Sequence, residues 1–374
     1  MGRRGGAVES LVMRPAFWQG RRVLVSGHTG FKGTWLCAWL DRLGAEICGF
    51  ALPPHSSPGM YQLIEPLATE VSHYFDINEG GRVSDLLDQF APEVVFHLAA
   101  QSLVRPSYDN PAATFETNVL GTISLLDAVR KAASVKAVVV VTSDKCYEID
   151  ASAHGYREED RLGGGDPYSA SKGCAEIAAR SMQQSFFAPY AAGGHPARIA
   201  TVRAGNVIGG GDWSADRLVP DIVRGCLGSD AVVRLRYPHA IRPWQHVLEP
   251  LRGYIEIAER LVSEPDGMDA AWNFGPGTDL ERTVQDIARS MVAALKRGTV
   301  IVDGDANLRH ETEILRLDCS KARDKLGWRP ILTYQETIAL TAAWYLAWAA
   351  ADDMRAITAT QIFDYSDRLV SVSP

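Results

Sequence analysis

Five side chains in two short stretches have the types and spacings that proton transfer needs. Tyr168 and Lys172 stand four residues apart in YSASK, inside the helical-looking stretch DPYSASKGCAEIAARSMQQSF. Positions i and i+4 of a helix share a face. The ammonium of Lys172 would therefore favour the phenolate of Tyr168 and tune it to exchange a proton with a substrate hydroxyl. Ser143, Asp144 and Lys145 follow directly on the apolar run VVVV and one threonine, so a hydroxyl, a carboxylate and an amine gather at one strand end. Alone, that triplet reads most simply as a solvated loop with a local Asp144–Lys145 ion pair, since charges are common after strands. The rest of the chain points to chemistry instead.

These groups need a scaffold, and the order of elements supplies one. RRVLVSG, AEICGFAL, VSHYF, EVVFHLAA, KAVVVVTS and ARIATVRAGNVIG read as strands. FKGTWLCAWLDRLGA, a stretch over 111–133 and the Tyr168 stretch read as helices between them. Strands alternating with helices imply crossover connections, hence an α/β, Rossmann-like, doubly wound parallel sheet. Between the first strand and the first helix lies Gly27-His28-Thr29-Gly30-Phe31-Lys32-Gly33. Glycines there let the backbone approach a pyrophosphate, and the helix start offers free N–H groups and a positive dipole. Gly27, Thr29, Gly30, Phe31, Lys32 and Gly33 are the expected cofactor contacts. Asp76-Ile77, after the third strand, is a second place for a nucleotide, where the carboxylate meets the adenine or else caps a helix. Leu98, Ala99 and Ala100 end the fourth strand with mostly small residues, as a backbone packed on a dinucleotide requires; His97 before them reads as a core histidine.

After about Gly209 the rhythm breaks into segments rich in Gly, Pro and Trp. The expected organisation is a flexible extension over 1–16, a nucleotide-binding domain over 17–208 with returning segments about 236–275, and a mainly substrate-binding C-terminal lobe over 209–374. The run Gly209-Gly210-Gly211 reads as a segment closing over substrate or as an interlobe turn, and Trp35 and Trp39, at helical spacing, as packing residues. The 374 residues carry a net charge of −7, which argues against nucleic acid as the main partner. No run approaches the length of a membrane span, and the first sixteen residues lack the apolar core of a signal peptide. Six cysteines lie scattered, with neither CxxC pairs nor nearby histidine clusters. They read as reduced thiols of a cytoplasmic protein that holds no metal.

The glycine spacing GxxGxxG, the strand ending in Ser143 and the YxxxK pair resemble the extended short-chain dehydrogenase/reductases that modify nucleotide sugars. TSDKCYE, GYREEDRLGGGDPYSASK, RAGNVIGGGDW, DRLVPD, RPWQHVLEPLRGY and WNFGP narrow the resemblance to the 4,6-dehydratases of that group, over residues 17–328. The resemblance implies a retained NAD, a homodimer through the helices near 111–131 and 168–185, and CDP-glucose as the substrate, converted to a 4-keto-6-deoxy sugar. It also implies roles: Tyr168 as base for O4 oxidation with Lys172 as its partner, Ser143 bonded to O4, and Asp144 as the acid for the departing C6 hydroxyl. Lys145 falls where related dTDP-glucose enzymes place a glutamate that removes the C5 proton. A lysine does this only when neutral, so stabilisation of the enolate is the competing role. Asn118 is expected at the cofactor, and Gln101, Ser102, Arg105, Asn206, Arg217, Leu218, Arg242 and His310 at the sugar nucleotide. Arg242 is the candidate diphosphate clamp. The end of the second strand reads GFALPPHSSPG, with neither acid nor arginine, and so does not itself separate NAD from NADP. Two alternatives are an epimerase or reductase on the same scaffold, and a dinucleotide-sensing protein without chemistry.

Overall fold

Strands that are apolar at every position, rather than every second one, belong in a parallel sheet covered on both faces. The computed structural model describes residues 15–54, 58–65, 67, 70–149, 155–235, 237–264, 266–277, 281–302 and 315–372. The inner strands Val94–His97 and Ala137–Val141 of its central sheet are of that kind, while the edge strand Glu70–Tyr74 is polar and partly exposed. β1 (Arg22–Ser26), β2 (Glu46–Ala51), β3 (Glu70–Tyr74), β4 (Val94–His97), β5 (Ala137–Val141) and β6 (Arg198–Arg203) pair in parallel, and Ala271–Asn273 adds a seventh strand beside β6. Val138 and Val140 of β5 enter one apolar layer, Ala137, Val139 and Val141 the other. From the Ala271–Asn273 edge the order is β6, β5, β4, β1, β2, β3. β1 thus lies between β2 and β4, and the direction of winding reverses at the β1/β4 junction, where a ligand crevice opens at the strands' carboxyl ends.

Two helix starts place the chemistry. Phe31–Arg42 begins straight after the glycine turn with Gly30 at its N-cap and no side-chain cap, which leaves its first N–H groups available. Pro167–Phe186 has proline in its first turn and Asp166 as N-cap, accepting from Ser169 N at 2.9 Å and Ser169 Oγ at 2.6 Å. That cap fixes where Tyr168 leaves the loop.

The structure differs from the sequence reading in two places. The expected 111–133 helix is Pro111–Phe115, a π turn Glu116–Leu120, and Gly121–Val129. The strand expected to run through AGNVIG stops at Arg203. Asn206 takes a left-handed φ of +46°, and Val207–Ile208 pairs separately with Gln245–His246. The C-terminal helices Tyr334–Ala349 and Met354–Val372, within the expected 209–374 segment, also contribute to the apolar layer under the sheet, beside Leu248–Ser263 of the expected returning segment. Tyr365 meets Trp39 edge-on at 5.6 Å, so the second tryptophan of the glycine-turn helix is packing. Trp35 donates to the Gly210 carbonyl at 2.9 Å, and a Cβ at Gly210 would overlap the Trp344 ring. Of the two readings of the glycine run, the interlobe turn holds.

Candidate active site

The glycine turn forms a cradle closed from below. Gly27 has φ +77°, and a Cβ there would come within 2.6 Å of Ala99 N at the end of β4. A Cβ at Gly33 would overlap the Gly27 carbonyl. Thr29 Oγ1 donates to Leu52 O at 3.1 Å, tying the turn to the end of β2, while Leu98 N and Ala99 N both donate to Ser26 Oγ at 3.2 Å. Backbone is thereby exposed where side chains would obstruct, the arrangement a dinucleotide pyrophosphate fits. Asp76 closes a turn, its Oδ1 accepting from Asn78 N at 2.9 Å, while Glu79 is the N-cap of the helix that follows, Gly80–Phe90. Ile77 is buried against Gly121. His97 is a core histidine, paired to Ser26 Oγ at 2.7 Å and Thr122 Oγ1 at 2.9 Å, and burial pushes its pKa down to about 3.

At the end of β5 the chain turns sharply. Ser143 caps the 3-10 turn Asp144–Cys146: its Oγ accepts from Lys145 N at 3.2 Å and donates to Asp144 Oδ1 at 2.9 Å. The Ser143 hydroxyl also favours the phenolate of Tyr168, so it stands between the phenol and the Asp144 carboxylate. Ser143, Asp144, Tyr168 and Lys172 are all buried. Burial pushes the Tyr168 phenol up to about 12, opposed by the Ser143 hydrogen bond. Burial brings Lys172 down to about 8, opposed chiefly by the charge of Glu176. A Cβ at Gly205, just beyond β6, would overlap the Asp144 carboxylate, so that glycine makes the room Asp144 occupies. The Asp144–Lys145 ion pair of the simplest loop reading does not form. Among the described residues the Lys145 side chain makes no hydrogen bond or ion pair, and the solvated-loop reading fails on the burial of Ser143 and Asp144.

Around this layer sits a shelf of cations. Arg217 spans Asp212 Oδ2 at 3.0 Å and Ser102 Oγ at 3.1 Å, and Arg105 pairs with Asp216 at 2.7 Å. Lys32 reaches in from the glycine turn among Arg217, Asp144, Lys172 and Asp212, and its burial lowers its pKa to about 8. Gln101 braces its own loop, donating to Leu103 O at 2.9 Å and accepting from Leu103 N at 2.6 Å. Asn118 spends its amide on structure: it accepts from Gln101 N at 2.8 Å and donates to Ser171 Oγ at 2.8 Å, pinning the Gln101 loop to the Tyr168 helix. Asn206 lies just past the end of β6, and Leu218 opens the helix Leu218–Leu227 and packs on the core. Arg242 stands on a separate ribbon, Ile241–Pro243 against Glu281–Thr283. His310 lies outside the described residues.

Sequence reasoning passed over three buried groups. Glu176 is a further four residues along the Tyr168–Lys172 face, and Arg203 is a buried cation at the end of β6; both positions were available. Tyr254 has a fully buried hydroxyl without a partner among the described residues, and burial, then the charges of Asp144 and Tyr168, raise its pKa. Its only sequence signature is membership of RPWQHVLEPLRGY.

A Rossmann-like sheet with a glycine cradle at its switch point and a buried Ser–Tyr–Lys set at its strand ends defines a nucleotide-binding proton-transfer scaffold. Residues 24–341 match the family model of GDP-mannose 4,6 dehydratase, and the chain belongs to that family. It is 46% identical over 350 residues to CDP-glucose 4,6-dehydratase from Salmonella typhimurium, covering 93% of this chain and 97% of that one. Two solved structures share the fold. UDP-glucose 4-epimerase from Thermotoga maritima, with UDP-glucose, has a TM-score of 0.75 at 20% identity over 88% of this chain and 99% of its own. dTDP-glucose 4,6-dehydratase from Bacillus anthracis, in complex with NAD, has a TM-score of 0.71 at 19% identity over 87% and 96%.

Proposed function

We propose that this protein converts CDP-glucose to CDP-4-keto-6-deoxyglucose, an NAD-dependent intramolecular oxidoreduction with loss of water, catalysed by a hydro-lyase that serves deoxysugar synthesis. The observation that carries this reading is the buried Asp144, hydrogen-bonded to Ser143 and one link from Tyr168. An epimerase uses the serine, tyrosine and lysine but has no need of an acid beside them. The 46% identity to the Salmonella enzyme supports the choice of nucleotide.

NAD, bound in the Gly27–Gly33 cradle with Leu98, Ala99 and Ala100 beneath it and Asp76 and Ile77 toward the adenine, supplies a reversible hydride acceptor. The protein's part is proton handling. Tyr168 takes the proton of the sugar's O4 hydroxyl, Ser143 orients that hydroxyl, and the Lys172 ammonium favours the phenolate. Asp144 then gives a proton to the departing C6 hydroxyl, which leaves as water. Lys145 faces the C5 side of the elimination, as base when neutral and as stabiliser of the enolate when protonated. Retained C5 proton exchange in Lys145→Ala selects the stabiliser and its loss selects the base. Gln101, Ser102, Arg105, Asn206, Arg217, Leu218 and Arg242 form the sugar-nucleotide side, where guanidinium forks suit a diphosphate.

Purified protein incubated with CDP-glucose is expected to yield a 4-keto sugar, read by its absorbance in alkali. Turnover of dTDP- or GDP-sugars with none of CDP-glucose overturns the assignment. We further infer a cytoplasmic homodimer. Free cysteines and the absence, among the described residues, of any helix apolar and long enough to cross a membrane support the location. Exposed Leu120, Ile177 and Phe186 on the two helical stretches support the interface. Ile177→Glu is expected to shift the sedimenting species to monomer.

A further inference from the structure

Directly beneath the reacting groups lies an ion pair sealed from water, with only 3% of each side chain exposed: Glu176 and Arg203. It is bidentate, with Arg203 Nε to Glu176 Oε1 at 2.9 Å and Arg203 Nη2 to Oε2 at 2.9 Å. Two threonines complete the carboxylate's shell, Thr142 Oγ1 at 2.5 Å and Thr201 Oγ1 at 2.7 Å. The remaining arginine nitrogen, Nη1, donates to Tyr147 OH at 2.7 Å and to Glu158 O at 3.1 Å, and Tyr147 OH donates onward to Asn273 Oδ1 at 2.7 Å. Burying such a pair costs desolvation, and apolar residues of similar volume commonly serve stability as well or better. Its place in the fold gives it another use.

We propose that the Glu176–Arg203 pair is a positioning device for the reaction, fixing both ends of the Asp144–Cys146 turn and setting a carboxylate on the Lys172 face of the helix. The proposal rests on connectivity. Thr142, held by Glu176, immediately precedes Ser143, and Tyr147, held by Arg203, follows the Asp144–Cys146 turn. Arg203 ends β6 two residues before Gly205, the glycine that makes room for Asp144. Glu176 sits at i+4 from Lys172 and i+8 from Tyr168, on one face of one helix. The groups that act on Lys172 are therefore Glu176 from its own helix, Cys146 from the turn, His97 from β4 and Lys32 from the glycine turn. Of these, Glu176 is the anion held ionised at neutral pH, its pKa lowered by Arg203 and the two threonines despite burial. Its charge opposes the burial that lowers the Lys172 pKa to about 8.

The inference deepens the dehydratase reading, but its first test needs no substrate. In apo-protein carrying 13Cε-lysine, with the Lys172 resonance assigned by its loss in Lys172→Arg, Glu176→Gln is expected to move the Lys172 titration down by about one pH unit. The double variant E176Q/R203Q leaves no uncompensated buried charge, which secures a folded sample, and is expected to move it in the same direction. A Lys172 titration unmoved in the double variant overturns the charge role. The second test uses whichever nucleotide sugar the wild type oxidises. Because oxidation needs protonated Lys172, the alkaline limb of the NADH-forming step is expected to fall at lower pH in both variants, with KM within about twofold. Thr142→Val removes one hydrogen bond and no charge, so it is expected to lower kcat several-fold with the limb in place. A wild-type kcat in Thr142→Val overturns the positioning role. Failure of the wild type on CDP-glucose contradicts only the substrate assignment.

Discussion

Two layers of this site are built on opposite principles. In the lower layer Ser143, Asp144, Tyr168 and Lys172 are buried, bonded to one another and backed by the Glu176–Arg203 pair. In the upper layer Arg105 and Arg217 are partly open to solvent, the first paired with Asp216, the second with Asp212 and the Ser102 hydroxyl. Electrostatic forces are strong in the first layer and screened in the second. Chemistry therefore belongs below, where a misplaced group is costly. In the proposed function, recognition of the sugar nucleotide belongs above, where cations would exchange an internal carboxylate for a ligand's phosphate.

The contrast can be broken layer by layer. Tyr168→Phe keeps the ring and deletes the exchangeable proton, so the oxidation step is expected to fall by roughly a thousandfold in single-turnover NADH absorbance. Gly205→Ala pushes a methyl into the Asp144 carboxylate. Displacement on that scale is expected to slow product formation about a hundredfold while NADH formation suffers much less. Arg217→Lys keeps the charge and loses the fork across Asp212 and Ser102. KM for the nucleotide sugar is expected to rise roughly tenfold with kcat nearly unchanged. Arg105→Ala breaks an exposed ion pair with Asp216, and its stability in urea is expected to change by less than about 1 kcal/mol. A large kcat loss in Arg217→Lys, or a small one in Tyr168→Phe, reverses the division between layers.

The lower layer was legible in the sequence because its signals are local. A strand of valines, a glycine turn before a helix and a Tyr–Lys spacing of four each follow from the period of one element. The interlobe turn was half legible, since glycines announce close packing but not the partner, which is Trp344, well over a hundred residues away. Asn118 shows the limit of such reading. No residue type announces the π turn it sits in, or that its amide bonds Gln101 and Ser171. The return of the C-terminal helices to the glycine-turn helix depends on tertiary apolar matching, Tyr365 on Trp39, which has no periodic trace. Asp144 and Lys145, neighbours in sequence, are separated by burial: the first is inside, bonded to Ser143, while the second is half-buried at the turn.

The central claim is that oxidation and water loss are run by different residues of one buried layer, Tyr168 for the first and Asp144 for the second. Rapid mixing of Asp144→Asn, loaded with NAD, against CDP-glucose tests it most directly. The account predicts that NADH absorbance rises and persists while the 4-keto-6-deoxy product forms at least about a hundredfold more slowly than in the wild type. A variant that forms no NADH, or that releases product at the wild-type rate, contradicts it.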